Sequence, residues 1–244
     1  MNPALLAFLL AAAALAAPAG ELRTVYRRAY EDTRPAVLDV HLLLTSAQAR
    51  LTRLGWDLAP LGEENRERAG AALERFNGKA AAYRPLAEAA DLQNAPSAAA
   101  EASLKASGAL PKPAVPDTAA AQADEILALR ARYDAAESRA AGRRAAEALA
   151  LIEARLGKSE PTAAQLSELA AGRALASELE SSARGLLPGA PRKGEAPTAA
   201  SARERARRGV EGLREDAKAL RAELARLEIH HRLNALYARH PDAF

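Results

Sequence analysis

The chain has 244 residues, long enough for one large or two small domains. Its 34 basic and 31 acidic residues leave a formal net charge of only +3, too mild an excess to demand a nucleic-acid partner. It contains no cysteine, which excludes disulfides, thiolate zinc sites and a lipid anchor on an acylated cysteine.

About a quarter of the residues are alanine. Alanine is the best helix former but offers little more than one methyl to a core. The composition therefore predicts long helices joined by thin leucine seams.

Residues 1–19 read as an export signal. Leu5, Leu6, Phe8, Leu9 and Leu10 open an apolar run that continues through alanines to Ala17-Pro18-Ala19. That ending is a small-x-small cleavage pattern, placing the mature terminus near Gly20. Ala14-Leu15-Ala16 is a secondary site, and no Lys or Arg precedes the run. The rival readings are an uncleaved membrane anchor, at the lower edge of spanning length, and a buried N-terminal helix.

Residues 20–93 form an N-terminal helical region. A short helix over 21–30 gives way at Asp32-Thr33-Arg34-Pro35, where cap-type residues precede a first-turn proline. Val37, Val40, Leu44, Ala47, Leu51 and Leu54 then mark one apolar helical face. Gly55, Pro60 and Gly62 make a turn, and two helical pieces follow over 63–76 and 79–92. Residues 94–118, with four prolines, read as a linker.

The segment 119–187 reads as a long helical hairpin. One helix, capped by Asp117-Thr118, is predicted to run to Gly157, with Gly142 as its weak point. Its first seam is Ile126, Leu129, Tyr133, Ala136 and Ala140, and its second is Ala145, Leu149, Ile152 and Leu156. Thr162-Ala163-Ala164-Gln165 matches a capping box that opens the return helix. A Pro/Gly linker over 188–200 follows.

Ser201-Ala202-Arg203-Glu204 is a second capping box, predicting a last amphipathic helix over 201–240. Val210, Leu213, Ala217, Leu220, Leu224 and Leu227 alternate four- and three-residue steps, the pattern of a partial coiled-coil seam. The pattern decays at His231 and Asn234, while Ile229, Leu233 and Leu236 define a rotated stripe. Glu204–Arg208 and Glu228–Arg232 have the favoured i,i+4 order. The seam must be buried against helix 119–157 or against a second chain, and a monomeric bundle is favoured because it avoids association entropy.

No catalytic, cofactor or metal site is visible. There is no G-x-S-x-G, S-x-x-K, H-E-x-x-H or phosphate-binding glycine loop. His230 and His231 are adjacent, hence about 100° apart on a helix, and His231 reads as a loosely packed seam residue. Glu63-Glu64, Asp124-Glu125 and Glu215-Asp216 read as helix-surface neighbours. Arg203, Arg205, Arg207 and Arg208 superficially resemble a basic-zipper arm, but Gly209 and Gly212 interrupt it and no base-reading asparagine is present. Those arginines read as a solvated face or a contact for an anionic envelope partner.

The expectation is an all-α protein, an elongated bundle or antiparallel coiled-coil-like hairpin. Its expected role is a non-enzymatic interaction or structural protein, periplasmic or secreted, with a protein or envelope component as partner. No nucleic acid is expected as a partner, and a membrane only through an uncleaved signal. A holdase-like client binder is the alternative, and an enzyme with no sequence-visible site a distant third.

Overall fold

Four of the predicted apolar faces find one another in a computed structural model of the chain, which describes residues 19–93, 119–191 and 196–244. The chain is an all-α bundle. Its helices are α1 (Ala19–Thr33), α2 (Ala36–Leu58), α3 (Glu63–Gln93), α4 (Ala119–Arg130), α5 (Ala135–Leu156), α6 (Ala163–Gly185) and α7 (Pro197–Arg239). The apolar run, Ala17 and the linker 94–118 lie outside the described residues.

The leucine face of α2 and the seam of α7 are the two richest in the sequence, and they pack on each other. Val40, Leu43, Leu51 and Leu54 of α2 are buried with Val210, Leu213, Leu220, Leu224 and Leu227 of α7. Phe76 and Tyr83 of α3 and Leu169, Leu175 and Leu179 of α6 complete this principal core. Two glycines of α7 and one of α6 let the helices approach closely. A Cβ at Gly209 would stand 2.7 Å from Leu54, and one at Gly172 would stand 2.5 Å from Leu224. The seam is thus buried within the chain, but on α2 and α6 and not on the 119–157 segment expected to cover it.

A second, smaller cluster joins Leu22 and Ala29 of α1, Ala145, Leu149 and Ile152 of α5, and Leu233 and Leu236 of α7. The predicted rotated stripe of α7 is what reaches it. The long last helix therefore spans both clusters, and the clustered apolar residues of α1 and α5 all belong to the smaller one. The N-terminal region 20–93 is not separate from the rest, since α2 and α3 share their core with α6 and α7.

Local signals explain most of the boundaries. At α6, Thr162 Oγ1 accepts from the Gln165 N–H while Gln165 Oε1 accepts from the Thr162 N–H, completing the predicted capping box. Three other boundaries differ from expectation. The helix expected over 119–157 breaks at 131–134, because Asp134 Oδ1 accepts from the N–H groups of Ala136 and Glu137 and starts α5 afresh. Gly142 lies unperturbed inside α5, and Leu129 and Ala136 of the predicted first seam face solvent. The last helix begins at Pro197, four residues before Ser201, with proline at a first-turn position where its missing N–H costs nothing. The two pieces expected between 63 and 92 are one helix, Glu63–Gln93, with Pro85 inside it.

Candidate functional site

Beside its leucine seam, α7 carries a second buried stripe made of ionisable groups: Asp216, Glu223, Arg226 and His230. Their spacing of seven, three and four residues puts them on one face of a helix. A helix buried on two faces must satisfy its polar groups internally, because an unpaired buried charge costs several kcal/mol, on the order of 3–5 when one partner is removed. Each of these groups also has a partner outside α7.

Glu223, with no exposed surface, sits at the centre. Its Oε1 accepts from Tyr133 Oη and Ser138 Oγ, and its Oε2 accepts from Arg226 Nη1 at 3.0 Å. Arg226 Nη1 also reaches Asp39 Oδ2 and Ser138 Oγ, each at 3.1 Å. Its Nε donates to the backbone carbonyl of Asp32 at 2.6 Å. That carbonyl lies in the last turn of α1, where carbonyls lack intrahelical partners and the helix end favours a cation. One side chain therefore links α7 to α1, α2 and α5. Burial and the nearby Glu223 push the Asp39 carboxyl above its usual range, against the opposing pull of Arg226. Burial and the bond to Glu223 likewise push the Tyr133 hydroxyl up.

Two turns earlier, Asp216 accepts from Arg50 Nε at 2.8 Å and from Arg130 Nε at 3.0 Å. Arg130 in turn stacks its guanidinium over the Tyr133 ring, 4.5 Å from the centroid. Asp216 is thus an interior residue, 1% exposed, and not the surface neighbour of Glu215 that the sequence suggested. The break at 131–134 has the same origin: it turns Arg130 and Tyr133 toward α7.

His231 corrects a second expectation. It is fully buried, with Nε2 2.9 Å from Glu168 Oε2 of α6, whose other oxygen accepts from Tyr83 Oη of α3 at 3.1 Å. It is a packed, hydrogen-bonded core residue. His230 points elsewhere, its ring tilted against Tyr30 at 5.0 Å between centroids, with Nδ1 3.2 Å from Thr33 Oγ1. Glu228 pairs with Arg173 and Arg232 with Glu153, so the predicted Glu228–Arg232 pair is replaced by contacts to other helices. Burial raises the Glu153 carboxyl, but the Ser159 donors and Arg232 outweigh it and hold it below its usual range.

The predicted seam residues Val210, Leu213, Leu220, Leu224 and Leu227 are all buried. Ala19 and Gly20 of the predicted cleavage site form the first turn of α1, and Gly20 is exposed. Two of the four zipper-like arginines serve the fold. Arg203 donates to the Gly189 carbonyl at 2.6 Å, and Arg205 Nε to Asp57 Oδ1 at 2.7 Å. Among the described residues no group of three or more His, Asp or Glu side chains is placed to hold a metal ion. Among them, too, no helix is long and apolar enough to cross a membrane.

The buried stripe was missed because a helical acid or base looks the same in sequence whether it faces water or another helix. One signal was available: Asp134-Ala-Ala-Glu137 has the spacing of a helix start, and recognising it would have turned Tyr133 inward. Chemically, these carboxylates accept from donors of the chain itself, and the stripe fixes the register of α1, α2 and α5 on α7. A surface groove of about 420 Å³ lies between α1 and α5, bordered by Val25, Arg28, Asp32, Arg144 and Ala148. Comparison with protein-family models, with curated proteins and with solved structures gives no match.

Proposed function

We propose that this chain is an exported, non-enzymatic interaction or structural protein of the cell envelope or secreted space. The observation that carries the reading is Trp56. The chain's single tryptophan is 60% exposed on α2, and Leu38, five turns earlier on the same helix, is 63% exposed. Trp is among the residues most enriched at the centres of protein interfaces, because it offers large apolar area with few rotatable bonds. The proposed partner is a protein or envelope component, and no nucleic acid is proposed.

Photo-crosslinking in intact cells from a probe one turn away, at Arg53, checks the reading. A discrete adduct that Trp56→Ala weakens at least tenfold is the expected result. An adduct indifferent to Trp56 would remove its basis.

Export rests on the apolar run and Ala17-Pro18-Ala19. Cleavage after Ala19 would remove nothing of the described core, whose first buried apolar residue is Leu22. Mass spectrometry of the native protein should therefore show a new N-terminus near Gly20. Intact Met1 in the cytoplasm would reject export, and intact Met1 in a membrane fraction would mean a retained anchor. We also propose that the mature chain is monomeric, since the α7 seam is already covered by α2 and α6. Sedimentation across a hundredfold concentration range should give one species of constant mass.

A further inference from the structure

We propose that α1 is an acid-releasable element, held on the bundle at neutral pH and shed when His230 takes up a proton, while the principal core stays folded. Three features of the geometry carry this. The first is where His230 sits. Its ring is covered by Tyr30 and Thr33 at the C-terminal end of α1, so moving α1 away is the direct route by which water can reach it.

The second is charge. Around His230, α1 and the turn after it present Tyr30, Thr33 and Arg34, and α7 presents Arg226 and His231. The acids of this neighbourhood already have partners. Asp32 pairs with Arg144 of α5, Asp39 and Glu223 with Arg226, and Glu168 of α6 with His231. Among the described residues no carboxylate hydrogen-bonds His230 itself. A proton placed there would meet Arg226 and Arg34 in a desolvated site.

The third is how α1 is held. Its buried apolar residues Leu22 and Ala29 belong only to the smaller cluster, with α5 and the end of α7. Losing them leaves the apolar packing of α2, α3, α6 and the body of α7 intact, and Arg226, which gives up the Asp32 carbonyl, keeps Asp39, Ser138 and Glu223. His231, one residue on, faces Glu168 of α6, which also accepts from Tyr83 of α3, and so points away from α1.

The direction follows from linkage. Burial, then the charges of His231, Arg226 and Arg34, push the imidazole of His230 from 6.5 down to about 3. Between those values the undocked state binds a proton that the docked state does not. Docking is therefore complete above 6.5 and weakens about tenfold for each pH unit below it, until the docked ring itself titrates.

Hydrogen exchange on the full chain at pH 7.5 and pH 4.5, corrected for intrinsic rates, tests the proposal. At pH 4.5 the amides of residues 22–33 should lose protection by about a hundredfold, two units of linkage. Those of α2 and of residues 210–227 should keep theirs. His230→Gln, which retains a polar partner for Thr33 but cannot titrate, should keep α1 protected at pH 4.5. Equal protection of α1 at both pH values would overturn the proposal. So would simultaneous loss from α1 and α2, or a His230→Gln variant that responds like the parent. Should that variant not fold, an NMR titration of the unsubstituted chain decides. The His230 ring must gain its proton over the same range in which α1 is released, and a ring that titrates while α1 stays protected rejects the idea.

Discussion

Arg226→Ala should destabilise the protein by about 3–5 kcal/mol, the usual consequence of breaking a buried ion pair from one side. The variant leaves Glu223 with no exposed surface and only Tyr133 and Ser138 as donors, and it strips the Asp32 carbonyl of its cation. Glu223→Ala should cost a similar amount, because Arg226 is then left interior with Asp39 as its only acid. The two effects share one interaction and should not add. Glu223→Leu combined with Arg226→Met should cost clearly less than the sum of the single changes, since no charge is stranded. Urea denaturation followed by circular dichroism measures all three. A loss below about 1 kcal/mol for Arg226→Ala would place the pair in water, at the level of a surface ion pair. The exposed Glu215–Lys218 pair on the same helix is the control, and its removal should cost far less.

This expectation concerns specificity as much as stability. A buried ion pair is seldom better than a well-packed apolar replacement, so its value lies in what it forbids. The leucine seam of α7 could accept a partner helix shifted by one turn at modest cost. Arg226 could not, because it must meet the end of α1, Asp39 on α2 and Ser138 on α5 together. A hydrophobic double variant that remains stable but gives a heterogeneous NMR spectrum would show this role directly.

Much of the helical framework was legible in the sequence because it depends on neighbours three or four residues apart. The α2 face from Val40 to Leu54, the Thr162–Gln165 capping box and the end of α7 at Arg239 are of this kind. The interior ion pairs are not, because each joins residues far apart in the chain. Glu168 and His231 are separated by 63 residues, and nothing local to either reveals the other. Composition added a bias of its own. With so many alanines, a stripe of charges between apolar positions reads as solvent-facing, whereas small neighbours such as Ala206, Ala217 and Ala219 let helices close over it. Helix α3 continues through Pro85, at the cost of one backbone hydrogen bond.

The sharpest contrast between sequence and structure lies at two positions eleven residues apart on α7. Leu220→Ala should cost about 2–5 kcal/mol, because the side chain has no exposed surface and truncation leaves a cavity among α2, α6 and α7. By sequence, His231→Ala should cost much less, as a polar residue where the seam decays. The structure reverses that. His231 is equally buried, and its removal leaves Glu168, only 3% exposed, with Tyr83 as its remaining hydrogen-bond donor across the interface. Stranding a buried acceptor costs about 1–3 kcal/mol, and more when it is charged. His231→Ala should therefore approach Leu220→Ala, while His231→Gln, which keeps a donor within reach of Glu168, should recover part of the loss. Thermal unfolding reads these differences as roughly 2–4 °C per kcal/mol for a chain of this size. A His231→Ala variant that melts with the parent would show that the Glu168–His231 contact contributes nothing to holding α6 on α7.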